Sequence, residues 1–314
     1  MFGKLRSHGF TPKNAIHVLR DRNGARQEVF RACVFLLSRK LTPLVGVEDG
    51  DVRYVLSTRE STGVCYPTFV RGYFDEQTVL GMEEALAQHA GIATIASLRV
   101  LEIGANIGTE TVSLLMRHGI ERVLAIEPDT ENARFLRANL ALNGVQDRVT
   151  IYEIALSDID GTVVLERSED NWGDHRVRAG GSFGPDLHGE GLRATAEVTA
   201  RRLDSLIAAG EVDLEEIDLV WMDAQGHEGH ILSGAERLLA SDTPIVTEYW
   251  PYGLRRVGAL ESFHELVAAH YKTVVDLHEP AVALAGARVA ELADRYAGDE
   301  RIAAPYTDLL LISG

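Results

Sequence analysis

The sequence predicts a doubly wound α/β fold, in which helices cover both faces of a mainly parallel sheet. Three observations support this prediction. Short apolar runs alternate with helical patterns from residue 96 onwards. A tight glycine turn joins the run at 100–103 to the helical pattern behind it. Two further runs, at 122–126 and 217–222, end in acidic residues, where an open α/β sheet binds its ligands.

Residues 1–95 precede the sheet, and we expect them to form a mixed α/β cap on its edge, on the side of the acceptor. Helical patterns flank two β-prone runs that meet at a polar turn containing Asp49 and Gly50. An Asp-Gly pair between such runs is typical of a hairpin. The expected helices cover 15–19, 28–37 and 77–88, and the expected strands cover 44–47 and 53–57.

Residues 96–314 form the ligand-binding domain in this prediction, with an insertion at 162–200. The insertion has two β-prone ends and a glycine-rich middle that includes Gly180, Gly181 and Gly184. Long loops in compact domains are usually functional or disordered. Strands are expected at 100–103, 122–126, 149–154, 217–222, 243–247, 271–277 and 306–312, and helices at 109–118, 130–142, 201–208, 229–239 and 259–269.

The turn after the first strand of this domain contains Gly104, Asn106 and Gly108, and Glu102 precedes it by two residues. A dinucleotide-binding turn has the pattern G-x-G-x-x-G and directs helix amides at a pyrophosphate. The pattern here is G-x-N-x-G, and the Glu102 carboxylate would repel a pyrophosphate. The same carboxylate would suit a ligand that carries an ammonium group.

Glu127 follows the second strand, about 20 residues beyond the turn, which is the position from which an acid binds ribose hydroxyls. A ribose without phosphate and a cationic amino acid together describe S-adenosylmethionine, with S-adenosylhomocysteine as the product. Asp158, after the third strand, could accept from the adenine amine or could simply stabilise a turn.

Asp223 ends the fourth strand and should lie beside the cofactor, where a carboxylate can orient a nucleophile. His227 is our first candidate for a general base, with His175 and Asp223 as rivals. The other interpretation of His227 is a polar residue in the first turn of a helix.

Four further residues are expected on the acceptor side, where aromatic rings and polar groups could form a pocket. They are Trp172, Asp174, Glu248 and Tyr249. A hairpin without a binding role is the alternative for Trp172 and Asp174. Asp223, Glu248 and Asp174 could bind Mg²⁺ through oxygen ligands, but we do not expect a metal.

The 314 residues are 46% hydrophobic and 25% charged, as expected of a globular protein with a sizeable core. The formal net charge of −16 argues against nucleic-acid partners, because phosphate contacts need clustered Lys and Arg. Two cysteines, Cys33 and Cys65, fit a reducing compartment. Because the sequence has neither a long apolar run nor an apolar leader, we expect no membrane span and a cytoplasmic location.

Several stretches, in this order and spacing, resemble the FkbM-type family of S-adenosylmethionine-dependent methyltransferases over roughly residues 98–250. They read VLEIGANIGTETV, AIEPDTENARFLRANLALNG, EIALSDIDG, RRLDSL, DLVWMDAQGHEGHILSGAERLL and PIVTEYWP. The resemblance implies a class I methyltransferase fold, with a seven-stranded sheet whose last strand is antiparallel. It also implies Gly104, Asn106 and Gly108 at the cofactor loop and Glu127 at the ribose. Members with known roles mostly methylate hydroxyls of sugars and natural products.

One stretch departs from the family pattern. The family commonly has Lys-Ile-Asp-x-Glu-Gly after the fourth strand, and Trp221 and Gln225 stand here in place of the Lys and the Glu. Asp223, Gly226 and Glu228 remain. A Lys–Glu ion pair is therefore not available at this position, which suggests a subgroup with its own acceptor.

We therefore expect O-methylation of a hydroxyl on a sugar or natural-product small molecule. Because the sulfonium methyl is already activated, the protein mainly aligns the acceptor oxygen with the S–CH₃ bond. Two alternatives remain: N-methylation of an amino sugar or similar amine, and a cofactor-binding scaffold subunit without catalysis. A homodimer is compatible with the sequence, which does not identify the acceptor.

Overall fold

A computed structural model of the chain describes residues 24–178, 188–296 and 305–313. The expected helix at 15–19 and the expected glycines at 180, 181 and 184 lie outside these ranges. The strands are β1 (Leu44–Asp49), β2 (Val52–Ser57), β3 (Arg99–Ile103), β4 (Arg122–Ile126), β5 (Val149–Tyr152), β6 (Ala155–Leu156), β7 (Gly161–Arg167), β8 (Arg176–Val177), β9 (Ala194–Arg201), β10 (Leu219–Met222), β11 (Ile245–Tyr249), β12 (Thr273–Asp276), β13 (Ala283–Ala285) and β14 (Thr307–Ile312).

Helices alternate with these strands, as the apolar patterns predict. They are α1 (Gly24–Ser38), α2 (Cys65–Arg71), α3 (Glu76–Ala85), α4 (Thr109–Met116), α5 (Thr130–Leu142), α6 (Leu203–Ala208), α7 (Glu228–Ser233), α8 (Glu236–Leu239), α9 (Pro251–Arg256), α10 (Leu260–His270) and α11 (Glu291–Arg295). In the described ranges, no helix combines the length and the apolar character that crossing a membrane requires.

The central sheet confirms the predicted fold class. Within the described ranges it has eight strands in the order β13-β12-β14-β11-β10-β3-β4-β5. The strands from β11 to β5 are parallel, and β14 is antiparallel and lies between β11 and β12. This is the class I methyltransferase arrangement, with β13 added at one edge. The three residues of β13 are too few for a periodic pattern, so the expected count of seven strands was one too low.

Each central strand is buried on both faces, which explains why these segments read as continuous apolar runs. Because side chains alternate along a strand, Val100 belongs to the core on one face and Leu101 to the core on the other. Helices α4 and α5 cover the first face. Helices α6 to α10 contribute to the second.

The predicted helix at 130–142 agrees with α5, whereas the predicted helix at 229–239 is broken at Gly234. A Cβ on Gly234 would lie 2.1 Å from the carbonyl oxygen of Ser157, so the chain contacts the end of β6 there. The interruption therefore comes from a tertiary contact that the helical periodicity does not contain.

The N-terminal cap packs against α4 and α5, and its α3 helix contacts β14, an inner strand of the sheet, so the cap is not confined to the sheet edge as expected. The side-chain carbonyl of Asn139 accepts from the amide of Val55 at 2.7 Å, and its side-chain amide donates to the carbonyl of Ile107 at 2.8 Å. The cap hairpin and the glycine turn are thus bound to one side chain. Cap residues also share a core with the sheet.

The insertion forms a small sheet beside the central one. Strands β7 and β9 pair antiparallel along their whole length, and β8 and β6 extend them to the order β6-β9-β7-β8. The two β-prone ends predicted for the insertion are therefore the two arms of one hairpin.

Candidate functional site

The loops after β3 and β10 are in contact at the carboxyl ends of the two strands. The Asp223 amide donates to the carbonyl of Ile103 at 2.9 Å. Gly104 has φ +93°, and a Cβ at this position would lie 1.8 Å from the carbonyl oxygen of Asp223. Only glycine fits there, because the backbone has a left-handed conformation and a backbone oxygen, which cannot move aside as a side chain can, occupies the space that a Cβ would need. Asp223 therefore lies beside the glycine turn, as the strand order required.

Glu127 is fixed by the backbone of the cofactor loop. One carboxylate oxygen accepts from the Asn106 amide and the other from the Asp129 amide, each at 2.8 Å. A carboxylate offers about four lone-pair sites, so it can still accept from ribose hydroxyls. Burial raises the pKa of Glu127 to about 8. The side chain is oriented and only 4% exposed, which suits a ligand that donates hydrogen bonds.

Asn106 joins the glycine turn to the insertion. It has φ +49°, its side-chain carbonyl accepts from the Ile107 amide at 2.7 Å, and its side-chain amide donates to the Trp172 carbonyl at 2.9 Å. Gly108 also has a positive φ, and a Cβ on it would lie 2.5 Å from a methyl of Leu136. These residues therefore define the shape of the loop, and the two hydrogen bonds of the Asn106 side chain stabilise it.

Glu102 lies at the end of β3 and is 1% exposed. Its carboxylate accepts from the Thr111 hydroxyl at 2.7 Å, and burial raises its pKa to about 7 in spite of that bond. Glu102 therefore precedes the turn by two residues, as the sequence shows, and its buried side chain contacts α4.

Gln225 lies between two carboxylates at the ends of β10 and β11. Its amide nitrogen is 2.7 Å from an oxygen of Asp223 and 3.2 and 3.3 Å from the two oxygens of Glu248. Gln225 has φ +52°, an uncommon conformation for a residue other than glycine. Burial raises the pKa of Asp223 to about 6 and that of Glu248 well above its usual range.

Glu228 is a third acid at this point, for which no role was predicted from the sequence. One of its oxygens accepts from the amides of Ala224 at 2.8 Å and Gly226 at 3.2 Å, and the other has no hydrogen-bond partner among the described residues. Burial raises its pKa to about 7. One oxygen each of Asp223, Glu228 and Glu248 lie within 4.8 Å of one another. We call these three residues the strand-end cluster.

Three more acids, Asp75, Glu110 and Asp308, lie close enough to this cluster to interact electrostatically with Asp223. The Thr78 hydroxyl joins Asp75, at 2.8 Å, to Asp308, at 3.4 Å. Burial and the charges of Asp75 and Asp223 raise the pKa of Asp308 well above its usual range, and burial with the same neighbours does so for Glu110. Asp308 was visible in the sequence as a charge within an apolar strand, and Glu110 gave no signal.

His227 immediately precedes α7, and its ring contacts the residue that follows β6. Its Nε2 is 3.0 Å from the Ser157 hydroxyl, and its ring stacks on His230 with centroids 4.8 Å apart. Burial lowers its pKa to about 3. Its Nδ1 has no partner among the described residues, so no hydrogen bond joins it to Asp223. These contacts argue against the general-base role predicted for His227.

Asp158, predicted to border the adenine, has contacts on the same side. It accepts from the Ser157 hydroxyl at 3.0 Å and lies 3.2 Å from His230 Nδ1. Burial alone would raise its pKa, but these hydrogen bonds outweigh it and lower the pKa. The half-buried carboxylate is thus ionised at neutral pH.

Asp174 belongs to an ionic network of the insertion and is not among the acids whose oxygens lie within 4.8 Å of one another, so the geometry does not favour the predicted Mg²⁺ ligand set of Asp223, Glu248 and Asp174. Its carboxylate pairs with Arg176 and Arg193. Arg176 also donates to Glu190 at 2.8 Å and lies over the Trp250 ring at 4.4 Å. The network connects the insertion to the rest of the domain, and the Asp174 carboxylate is occupied by its two arginine partners.

His175 and Trp172 pack within the insertion. The amide of Ser168 donates to His175 Nδ1 at 3.3 Å, and burial lowers the pKa of His175 to about 4. Trp172 is buried edge-on against Phe135 of α5, with centroids 5.4 Å apart. Its ring therefore holds the insertion on α5, and stacking on an acceptor would require it to leave this contact.

Tyr249 does not reach the cluster. Adjacent residues of a strand face opposite sides of a sheet, so Glu248 faces the cluster while Tyr249 faces the second core. Its hydroxyl lies 2.8 Å from His264 Nε2, and its side chain is fully buried. The expectation of a Tyr249–acceptor contact is therefore corrected by the alternation of β11.

Two kinds of known protein are similar to this chain. The 2-O-methyltransferase NoeI of Sinorhizobium fredii is 31% identical over 156 residues, which are 48% of this chain and 62% of that protein, so the chain spans less than two thirds of this relative. A putative transferase from Pyrococcus horikoshii superposes with a TM-score of 0.40 at 13% identity, covering 86% of this chain and 70% of that one. The O-methyltransferase TomG of Streptomyces achromogenes does so with 0.39 at 14% identity, covering 76% and 80%.

The methyltransferase FkbM domain matches residues 102–271, more than half of the chain. The match begins at Glu102 and includes the glycine turn, Glu127 and the strand-end cluster. It ends after α10. The chain therefore belongs to the FkbM methyltransferase family.

Proposed function

We propose that this protein is an S-adenosylmethionine-dependent O-methyltransferase that acts on a hydroxyl of a small molecule. The observation that carries the proposal is the contact between the glycine turn and the Asp223 loop at the ends of β3 and β10. That contact places the glycine turn, which lacks the pattern of a pyrophosphate-binding loop, next to a group of acids that can accept hydrogen bonds from an acceptor molecule.

The cofactor half rests on Glu127 and Glu102. The Glu127 carboxylate is held by two loop amides and has lone pairs left for the ribose. Glu102, two residues before the turn, accepts from the Thr111 hydroxyl, and in our proposal its carboxyl group is the one nearest the ammonium group of the cofactor. S-adenosylhomocysteine, the product, carries the same two groups and should occupy the same site.

The acceptor half rests on the charge around the strand-end cluster. Carboxylates accept hydrogen bonds from sugar hydroxyls and repel anionic groups. The neighbouring Asp75, Glu110 and Asp308, whose pKa values burial raises, add further carboxyl oxygens that can accept hydrogen bonds. An acceptor with several hydroxyls and no acidic group fits such surroundings. The name of the NoeI relative, a 2-O-methyltransferase, agrees with a hydroxyl acceptor.

The protein would supply alignment and a proton acceptor, since the methyl group is already activated. The acceptor oxygen attacks the methyl carbon in line with the S–C bond, sulfur keeps the bonding pair, and the hydroxyl proton passes to a carboxylate. Asp223 is our candidate because it is half-buried beside the glycine turn. The histidines at 175 and 227 have other contacts.

Calorimetric titration with S-adenosylmethionine, S-adenosylhomocysteine and NAD tests the cofactor half. We expect micromolar binding of the first two and none of NAD. Glu127→Gln should weaken binding by roughly tenfold to a hundredfold, because a hydrogen bond to a charged group is worth about 1.5–3 kcal/mol. Glu131→Gln, on the exposed side of α5, is the matched control and should bind as the unaltered protein does. Binding of NAD alone would refute the proposal.

A panel of acceptors tests the other half. Isotopically labelled S-adenosylmethionine is offered with neutral glycosides, amino sugars and uronic acids, and the methylated atom is identified by NMR. We expect O-methyl products from neutral or amino sugars and none from uronic acids. An N-methyl product would replace O-methylation with the alternative reaction, and cofactor binding without any product would favour the scaffold role.

A further inference from the structure

The strand-end cluster brings three acids together without an ion pair among the described residues, although the charge of Arg176 acts on Glu248. In the part of the chain that the structure describes, no Arg, Lys or His forms an ion pair with Asp223, Glu228 or Glu248. The cluster in the insertion differs, because Asp174 is paired with two arginines. Two buried carboxylates and a half-buried one in one place are costly when ionised unless a cation neutralises them.

Glu228 gives an independent indication of a ligand. It is 0% exposed, and its first oxygen is occupied by the amides of Ala224 and Gly226. Its second oxygen has no partner among the described residues. A buried carboxylate oxygen without a donor is rare in proteins, and a bound ion is one of the ordinary explanations.

Gln225 shows where a cation would lie. Its amide nitrogen contacts both Asp223 and Glu248 and so stands between two carboxylates as the positive end of a dipole. Rotation of the amide by half a turn would direct its carbonyl oxygen to the same place. A side-chain amide can therefore donate to the carboxylates without a cation and join them as an oxygen ligand with one.

The chemistry of the donors selects the class of ion. All are oxygens, with no thiolate or imidazole, which favours a hard divalent cation over Zn²⁺. Ligand oxygens within 4.8 Å of one another are compatible with metal–oxygen distances of about 2.0–2.6 Å around one ion.

We propose that Asp223, Glu228 and Glu248 bind one hard divalent cation of the Mg²⁺ or Ca²⁺ type, with the Gln225 carbonyl as a further ligand. The inference goes beyond the proposed function and does not rest on it, because the ion binds without cofactor or acceptor. Each acid contributes one oxygen to the cluster, so the second oxygen of Asp223 stays open to an acceptor hydroxyl.

Metal-free protein titrated with MgCl₂ and CaCl₂ by calorimetry, and melted with each salt, tests this site. We expect binding and a higher Tm, because a ligand of the native state stabilises it. Glu228→Gln keeps an oxygen for the two loop amides and removes the unpartnered one. It should weaken binding by roughly tenfold or more, since losses of about 10- to 100-fold follow even from altered outer contacts of metal sites. Glu131→Gln is the control with an exposed acid.

A second variant keeps the test decisive if Glu228→Gln folds poorly. Gln225→Glu adds a fourth carboxylate and should strengthen binding of the ion and lower the Tm of the metal-free protein. Equal binding by Glu228→Gln and the unaltered protein would overturn the proposal, and so would no binding at millimolar salt. Binding of methylammonium in place of both ions, lost in Glu228→Gln, would show an amine pocket and would also overturn it.

Discussion

The cofactor loop and the strand-end cluster are neighbouring regions that treat buried acids differently. In the cofactor loop, Glu127 accepts from two backbone amides and Glu102 accepts from a hydroxyl, so the protein itself holds each acid. In the strand-end cluster, one oxygen of Glu228 has no partner among the described residues and one glutamine amide serves both other acids. In the cofactor loop, the protein itself supplies hydrogen-bond donors to each acid. In the strand-end cluster, it leaves one carboxylate oxygen without a donor among the described residues, and a ligand can bind there.

The difference distinguishes two parts of the site that we propose, one for the cofactor and one for the acceptor. A cofactor that every turnover needs can be met by a rigid loop with fixed donors and acceptors. On the acceptor side that we propose, one oxygen of Glu228 has no hydrogen-bond partner among the described residues and is available to a ligand. The charge of this side, rather than its shape, is what the structure offers for recognition.

The strongest test of the contact between the two regions is Gly104→Ala. The added Cβ would meet the Asp223 carbonyl at 1.8 Å, and the φ of +93° already disfavours alanine. We expect the free energy of unfolding to fall by more than about 4 kcal/mol, a loss typical of strain combined with overpacking. Urea unfolding of Gly104→Ala measures it.

Gly210→Ala is the matched control, because Gly210 has φ +72° and no atom within 4 Å of its Cβ position. It should lose only about 1–2 kcal/mol, the cost of the left-handed conformation. Equal losses in the two variants would mean that the two loops do not touch as described.

The pH dependence of stability sharpens the contrast from the side of Glu102. Its pKa of about 7 in the folded protein exceeds the ordinary value of 4.5, so the native state keeps the proton longer than the unfolded state. Its contribution is present below pH 4.5 and is lost as the pH rises through 7. Glu102→Gln should remove up to about 3 kcal/mol of this pH-dependent loss, because a tenfold difference in proton affinity between the folded and unfolded states corresponds to about 1.36 kcal/mol.

Urea unfolding at several pH values from about 4 to about 9 measures this effect. Glu131→Gln changes an exposed acid and should give a curve parallel to that of the unaltered protein. A parallel curve for Glu102→Gln would contradict the burial described for that acid.

The smallest expected effect comes from His227, which borders the cluster without belonging to it. His227→Asn keeps a partner for the Ser157 hydroxyl, and we expect kcat with the identified acceptor to change by less than about threefold. A general base contributes about 10²- to 10⁴-fold. A loss in that range, at an unchanged Tm, would return His227 to the role that the sequence first suggested.

Local patterns predicted the elements that depend on neighbouring residues. Helix α5 agrees with its predicted bounds because its apolar stripe and its Asp129 N-cap are both within one segment. The break at Gly234 could not be predicted, since it arises where α7 meets the end of β6. Tyr249 was assigned to the wrong side of the sheet because an apolar strand buried on both faces gives no alternation to follow.

The sequence by itself determined the family and the doubly wound sheet, because the motifs and apolar runs that indicate them each lie within a short segment. It also predicted the cofactor side of the site, where strand, glycine turn and helix follow one another within a few residues. Only the tertiary structure decided which acids meet. Asp223 and Glu248 come from separate strands that become neighbours by parallel pairing, and Glu228 joins them through the turn at Gln225 and Gly226. Asp174 pairs with Arg176 and Arg193 and does not join these three acids, which residue spacing does not encode. Proximity between charges is a property of the folded chain, and the strand-end cluster exists only there.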